Sequence, residues 1–396
     1  MIDNTRTIHW LGAGLASVPG IRRIIAKDYR ICLWERDLRK AEEATKGLEG
    51  NFDIRMASDD DLAAVIAPGD ILVSMLPASM HVKYAKLCLA KKAHFVSSSY
   101  ISPEMADLDA KARQEGLTFI NEVGLDPGID HLLAHLLLDD YRNSPYFDPE
   151  NDHDFQSYCG GFPAIANDFK YKFSWSPLGV LKALKSPAQA ISDGKVVQID
   201  KPWHAVKDYF VETAGSVEKF QSYPNRDSLP FMHHYGFDES WSVKQFVRGT
   251  LRLDGWAEAW KDIFDTIDTT EADEVEEKLG LLSDRLWSDH AYDLGEFDRV
   301  VLCVELKVSR DGITLWHKSK SIDSLGTRHS SAMARLVSIT VSLATEAILK
   351  GELEAGVQAA PSDPSVIRSW IEKIAELGDL VHHTDHCMQA RIIAAE

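Results

Sequence analysis

The sequence predicts an α/β protein in two parts, a doubly wound parallel sheet followed by an α+β domain. Three observations predict it. Between residues 7 and 121, short apolar strands alternate with helix-periodic segments at the spacing of βαβ units. A glycine turn, Gly12-Ala13-Gly14, joins the first strand to the first helix. Beyond Asp130 the texture changes to aromatic-rich, strand-like segments with few helices between them.

In order, strands are predicted over 7–11, 30–34, 70–74, 94–98 and 118–121. Helices are predicted over 16–27, 39–48, 82–91 and 103–115, the last opened by Ser102 as cap and Pro103 in the first turn. Strand-like segments follow at 155–159, 171–175, 195–199, 244–253 and 300–308. The acidic run 268–277 and the amphipathic stretch 279–287 read as a small, solvated helical insertion. A helix rich in alanine and serine over 330–349 is expected to return to the first domain. The expected division is thus 1–128 as a dinucleotide-binding, Rossmann-type domain with 325–396 packing back onto it, 129–264 with 298–324 as an α+β substrate domain, and 265–297 as the insertion.

The 396 residues carry 43 Lys and Arg against 61 Asp and Glu, a formal charge of −18 with no basic run. That balance argues against a phosphate backbone or an anionic membrane as partner. Five scattered cysteines without CxxC spacing fit reduced thiols. Neither a leader-like start nor an apolar run of membrane-spanning length is apparent, so a cytoplasmic protein is expected.

The chemistry gathers where strands end. Gly12-Ala13-Gly14-Leu15-Ala16-Ser17 follows a strand and opens a helix, the setting in which glycines let the backbone approach a pyrophosphate. Ser17 replaces the third glycine of that fingerprint, and a tight turn without ligand is the plain alternative. Glu35 ends the second strand where an acid would accept ribose hydroxyls, whereas Arg36 and Arg39 could meet a 2′-phosphate. Repulsion of that phosphate by Glu35 favours NAD over NADP. Ser97-Ser98-Ser99-Tyr100 offers hydroxyls at the same edge, near the expected nicotinamide, although serine clusters are also common loops and caps.

After the last strand, Leu125-Asp126-Pro127-Gly128-Ile129-Asp130-His131 supplies two carboxylates, a proline turn and an imidazole. A capped strand-to-helix turn would use the same residues, with helix capping the plain role of His131. Arg226, Arg248 and Arg252 bring planar forks suited to carboxylates into apolar surroundings, against a structural Arg–Asp pair as the alternative, foremost for Arg248. The tract His382-His383-Thr384-Asp385-His386-Cys387 lies near the end of the chain with no partner cluster elsewhere. It reads as a surface end, and no metal is expected.

Together these segments resemble the saccharopine dehydrogenase family, in its L-glutamate-forming branch. The resemblance is carried by Ser98-Ser99-Tyr100-Ile101-Ser102-Pro103, by Asn121-Glu122-Val123-Gly124 continuing through His131, and by stretches at 158–161, 171–177, 193–197, 223–228 and 248–252. They stand in family order over most of 7–256, with a looser match over 300–349. The resemblance implies a nicotinamide enzyme, using NAD or NADP, that interconverts saccharopine with L-glutamate and 2-aminoadipate 6-semialdehyde in lysine metabolism. It implies cofactor contacts from Gly12, Gly14, Leu15, Ala16, Glu35, Arg36, Leu76, Ser98 and Leu125. Substrate contacts would come from Ser99, Tyr100, Asp126, Arg226, Thr250, Leu251 and Arg252, with Asp126 and Tyr100 catalytic. It also implies a homodimer through the second domain's sheet, a small amino-acid substrate, and no nucleic-acid or membrane partner. Alternatives are the same chemistry on another bridged amine, such as carboxynorspermidine, and a catalytically silent NAD(P)-binding regulator. The sequence departs from the family in a shorter 161–171 loop, in Ala78 where tyrosine is common, and in an abbreviated 265–297 insertion.

Overall fold

The computed structural model describes residues 6–213 and 216–388. From the amino end the chain runs β1 (Ile8–Leu11), α1 (Val18–Ala26), β2 (Ile31–Glu35), α2 (Leu38–Thr45), β3 (Phe52–Met56), α3 (Asp59–Val65), β4 (Ile71–Ser74), α4 (His81–Lys91), β5 (His94–Ser97), α5 (Pro103–Ala106), α6 (Asp109–Gln114), β6 (Thr118–Ile120) and α7 (Ile129–Arg142). There follow β7 (Asp152–Pro163), α8 (Pro177–Lys185), β8 (Ala188–Ser192), β9 (Lys195–Ile199), β10 (Lys207–Thr213), β11 (Ser216–Pro224), α9 (Pro230–His234), β12 (Ser242–Leu253), α10 (Trp256–Ala259), α11 (Lys261–Thr269), α12 (Gly280–His290), β13 (Asp298–Arg310) and β14 (Ile313–Leu325). The chain closes with α13 (Ala332–Lys350), β15 (Gly356–Gln358), α14 (Pro364–Glu376) and β16 (Val381–Asp385).

These elements form two compact units. The first holds 6–132 and 333–374, the second 133–332 and 375–388. The first unit is a seven-stranded parallel sheet in the order β15-β6-β5-β4-β1-β2-β3, so the strand order reverses between β1 and β4. That reversal is where doubly wound sheets hold ligands. β1 and β4 are buried on both faces, which is why they are legible as short, largely apolar runs. β3 escapes the sequence reading because it is an edge strand, and of its residues Asp53, Arg55 and Met56 are exposed. α3 is short and begins with three aspartates behind a Ser58 cap. The segment expected as one helix over 103–115 is two, α5 and α6, with Ser102 capping the first through Met105 N–H at 3.2 Å.

α13 lies against α1 in the first unit. Gly20 N–H donates to Ser338 Oγ at 2.8 Å, and a Cβ on Gly20 would stand 2.3 Å from the Ser338 carbonyl oxygen. Arg23 pairs with Glu346 beside this contact. The serines and threonines of α13 are tolerated in the core because they bond back to their own helix, Ser338 to Ala334 O at 2.7 Å and Thr345 to Val341 O at 2.9 Å. By length and composition α13 could cross a membrane, which corrects the expectation that no apolar run reaches that length. With 78% of its apolar 18-residue window buried and its hydroxyls satisfied, it serves as a core helix.

The second unit is built on a mixed sheet in the order β10-β11-β12-β7-β13-β14-β16, with β8 and β9 attached beside β12. Only β12 and β7 run parallel within that order. Three expectations are corrected here. The stretch 171–175 is not a strand: it makes a single bridge from Phe173 to Ala291, and Tyr171 and Phe173 pack with Trp256, Trp260 and Leu286 in a helix-side core. The 265–297 region, expected as a solvated insertion, buries Ile267, Leu279, Leu282 and Leu286 in that same core. The tail does not belong wholly to the first unit, since β16 adds antiparallel to β14 and carries 375–388 into the second.

Gly20→Ala should therefore cost about 1–3 kcal/mol of stability, the usual range for overpacking a close contact. Urea denaturation followed by circular dichroism checks this. An unchanged midpoint would show that α1 and α13 separate freely.

Candidate functional site

At the strand reversal of the first unit lies a cavity of about 510 Å³. Gly12, Gly14, Glu35, Arg36, Lys40 and Leu76 are among the residues lining it. No heavy atom comes within 4 Å of the place a Cβ of Gly14 would occupy, so the glycine turn is open on that side. Leu15 is 59% exposed, while Ser17 is buried ahead of α1. A glycine turn at a helix start, an open flank and a long cavity between strand ends fit a dinucleotide, whose pyrophosphate would meet the amides of Gly14, Leu15 and Ala16.

Glu35 does something other than wait for a ribose. Its carboxylate accepts from Ala13 N–H at 2.7 Å, Arg36 N–H at 2.7 Å and Asp37 N–H at 3.2 Å, tying the end of β2 to the glycine turn. Arg36 and Lys40 are exposed and border the cavity. Arg39, which the sequence offered as a second phosphate contact, is instead engaged by Asp37 at 3.1 Å and does not line it. Lys40 and Ser58 are lining residues that sequence reasoning missed; nothing marks them in a one-dimensional pattern.

The carboxyl ends of β4, β5 and β6 carry the second half of this edge. Ser97 donates to Asn121 Oδ1 at 2.8 Å. His81, at the start of α4, bridges Ser74 Oγ and Ser99 Oγ, each at 2.9 Å. Burial pushes its imidazole down to about 4, so at neutral pH it is uncharged, with one nitrogen donating and the other accepting. His81 was not among the expected residues, and its role rests on partners 7 and 18 residues away.

Tyr100 Oη donates to Asp126 Oδ1 at 3.3 Å, so the two residues expected to be catalytic stand together. Asp126 is half-buried and precedes a cis Pro127. The turn closes on itself: Gly128 has φ of 149°, and a Cβ there would fall 2.1 Å from the Gly124 carbonyl oxygen. Its N–H donates to Asp130 Oδ1 at 2.6 Å, so Asp130 makes the local turn bond. His131 therefore is not the cap. It is fully buried and paired with Glu122 at 3.0 Å, while the other Glu122 oxygen accepts from Ile101 N–H at 2.9 Å. Ser98 is half-buried beside Gly124, and Leu125 is buried.

In the second unit, Arg252 on β12 is 6% exposed. Its guanidinium lies 4.9 Å from the ring centre of Tyr171, 5.3 Å from Trp256 and 5.5 Å from Tyr223, and donates to Leu251 O at 3.0 Å. Its Nε has no hydrogen-bond partner, and no carboxylate stands at salt-bridge distance among the described residues. Thr250 beside it is half-buried, whereas the Leu251 side chain belongs to the sheet core, leaving only its backbone for a ligand. Arg248 stacks over Phe231 at 4.0 Å. Arg226 is exposed in a left-handed turn just past β11. The tract at 382–387 is not a surface end: residues 382–385 belong to β16, and His386 just past it stacks on His317.

Two family models cover nearly the whole chain. The saccharopine dehydrogenase NADP binding domain matches residues 8–120, and the saccharopine dehydrogenase C-terminal domain matches 124–379. The chain belongs to the saccharopine dehydrogenase family. Among its relatives, the L-glutamate-forming, NADP(+) saccharopine dehydrogenase of Saccharomyces cerevisiae is 31% identical over 428 residues, covering 90% of this chain and 94% of that one. The enzyme of the same name from Pyricularia oryzae is 35% identical over 268 residues, spanning 66% of this chain but 57% of the relative's length. The structure of the apo S. cerevisiae enzyme superposes with a TM-score of 0.78 at 26% identity, covering 96% of this chain and 99% of that one. A homospermidine synthase from Legionella pneumophila, solved with NAD, shares the fold with a TM-score of 0.63 at 11% identity, covering 96% and 91%. The relatives from S. cerevisiae and P. oryzae are named as NADP(+)-dependent dehydrogenases.

Removing the Glu35 carboxylate separates its two roles. If it holds the glycine turn, Glu35→Ala should weaken NAD and NADP alike, by about tenfold, because hydrogen bonds to a charged acceptor are worth about 1.5–3 kcal/mol. If it repels a 2′-phosphate, the same variant should bind NADP more tightly. Fluorescence titration with NADH and NADPH reads the difference.

Proposed function

We propose that this protein oxidises the CH–NH bond of saccharopine to yield L-glutamate and 2-aminoadipate 6-semialdehyde, or runs the reverse reaction, with NADP as its cofactor. The observation that carries the substrate class is Arg252: a buried guanidinium boxed by three aromatic rings, with Nε unpartnered and no carboxylate within reach among the described residues. Burying such a charge is costly unless a ligand completes it. Arg252 pairs in register with Gln221, so Arg226 lies five residues further along that strand direction, at most roughly 17 Å at 3.4 Å per residue. Two arginines so spaced suit carboxylates at different points of one extended molecule.

The nicotinamide, when bound, accepts or returns the hydride. The residues of this chain do the rest. In this reading Asp126 orients the bridging amine and stabilises the iminium charge as the hydride leaves, and Tyr100 fixes the carboxylate through its hydroxyl. Water then adds to the iminium carbon, and the C–N bond breaks to release amine and aldehyde. Uncharged His81 keeps the Ser99 hydroxyl oriented without placing a competing cation at this edge.

NADP is preferred over the NAD that the sequence reading favoured. The charge of Glu35 is committed to three backbone N–H groups, while Arg36 and Lys40 border the cavity as cations. The relatives' names and the matching domain model carry NADP as well. Arg36→Ala with Lys40→Ala should lower kcat/KM for NADP about tenfold or more, the loss of a charge-assisted contact, and leave that for NAD nearly unchanged. A ratio that does not move would remove both residues from phosphate recognition.

The deciding assay follows nicotinamide absorbance with saccharopine and NADP, and with glutamate, the semialdehyde and NADPH. Turnover on carboxynorspermidine alone would replace the substrate, and cofactor binding without turnover on either would favour a silent regulator. Arg252→Ala should raise KM for saccharopine by about ten- to a hundredfold, matching a charge-assisted contact of about 1.5–3 kcal/mol, with NADPH affinity preserved. Equal loss of NADPH affinity would mean that Arg252 only supports the fold.

A further inference from the structure

In the second unit, Glu305, His317 and His386 bring one ligand atom each within 4.8 Å of one another. They come from three neighbouring chain segments. Glu305 on β13 pairs with Ser319 on β14, two residues from His317, so Glu305 and His317 share a sheet face. β16 pairs Lys318 with Asp385, which sets His386 opposite His317, and the two rings stack with centres 4.2 Å apart. His317 Nε2 meets Glu305 Oε1 at 2.6 Å. We propose that these three residues form a binding site for a divalent transition metal of zinc type, which clasps β16 to the sheet.

Two imidazoles and a carboxylate are a donor set suited to zinc and its first-row neighbours, and poorly suited to calcium or magnesium. Ligating groups are ordinarily held by an outer layer of hydrogen bonds that leaves one atom of each for the metal. The structure has that layer for Glu305 and His386. Tyr209 on β10 donates to Glu305 Oε2, so Oε1, which meets His317 Nε2, is the oxygen that would turn to the metal. Ser319 Oγ engages His386 Nε2 at 3.0 Å, leaving Nδ1. With metal–ligand bonds of about 2.0–2.2 Å, tetrahedral ligands stand roughly 3.3–3.5 Å apart. Binding would require side-chain rotations that open the Glu305–His317 contact and draw in His386, from ligand atoms that already stand within 4.8 Å of one another. The fourth position goes to water.

The test uses the full chain, tag-free and stripped with chelator, titrated with Co(II) and then challenged with Zn(II). One equivalent of cobalt should develop a tetrahedral ligand-field band that zinc abolishes. Zinc at a hundredfold excess over Kd should raise Tm by roughly 3–6 °C. His317→Ala and His386→Ala should each weaken binding at least a hundredfold and remove the Tm shift, and Tyr209→Phe should cost about 10–100-fold. NADPH binding should be unchanged in all three. Absence of stoichiometric binding, or variants that bind as well as the parent, would overturn the proposal. Should a variant fail to fold, a zinc-soaked crystal of the parent decides: an anomalous peak among the three residues supports the site, and its absence there overturns it.

Discussion

A parallel sheet leaves its carboxyl edge without backbone partners, and in this protein that edge depends on side-chain acceptors that reach from one strand end to the next. Glu35 at the end of β2 holds the turn after β1. His81 links the ends of β4 and β5, and Ser97 links β5 to the residue after β6. Glu122 spans Ile101 N–H and His131. Each bond satisfies a group that would cost about 1–3 kcal/mol if buried alone. Together they give the edge a fixed shape before any ligand arrives, which is the condition for positioning to contribute to catalysis.

Arg252 obeys the opposite logic. Every buried charge in the first unit's edge has protein partners, whereas the Arg252 box has aromatic faces and an unpartnered Nε. Aromatic rings stabilise a cation by about 0.5–2 kcal/mol, less than a carboxylate would. Sites that break local rules of satisfaction are where a fold gives up stability for function.

How much of this was readable beforehand follows from which signals are local. β1, β2, β4 and β5 announce themselves as buried runs, and the glycine turn and Glu35 fall at the positions a fingerprint requires. β14 does not, because Lys318, Lys320 and His317 interrupt its apolar pattern. The 171–175 stretch misleads in the other direction, since aromatic residues mark both strands and helix-side cores. The role of Glu35, unlike its place, turns on which backbone N–H groups surround it. Lys40 and His81 matter only through neighbours that the fold supplies. His386 looked solitary because Ser319, its hydrogen-bond partner, is 67 residues away, too far for any spacing rule.

The division of the first unit between the two ends of the chain bears on how the protein is made. Gly20 meets Ser338 across 318 residues, and the outermost strand of the nucleotide sheet, β15, comes after the continuous 133–332 stretch of the second unit. At a synthesis rate of about 5–20 residues per second, the partner of α1 emerges on the order of tens of seconds after α1 itself. During that interval the amino-terminal strands are present without the helix and edge strand that complete them, and their apolar faces are open to wrong partners. The second unit is continuous from 133 to 332 and needs only β16 to finish. Most of its sheet can therefore form on the nascent chain while the nucleotide fold, although encoded first, still waits for α13 and β15; β16, the last strand made, completes the second unit after both.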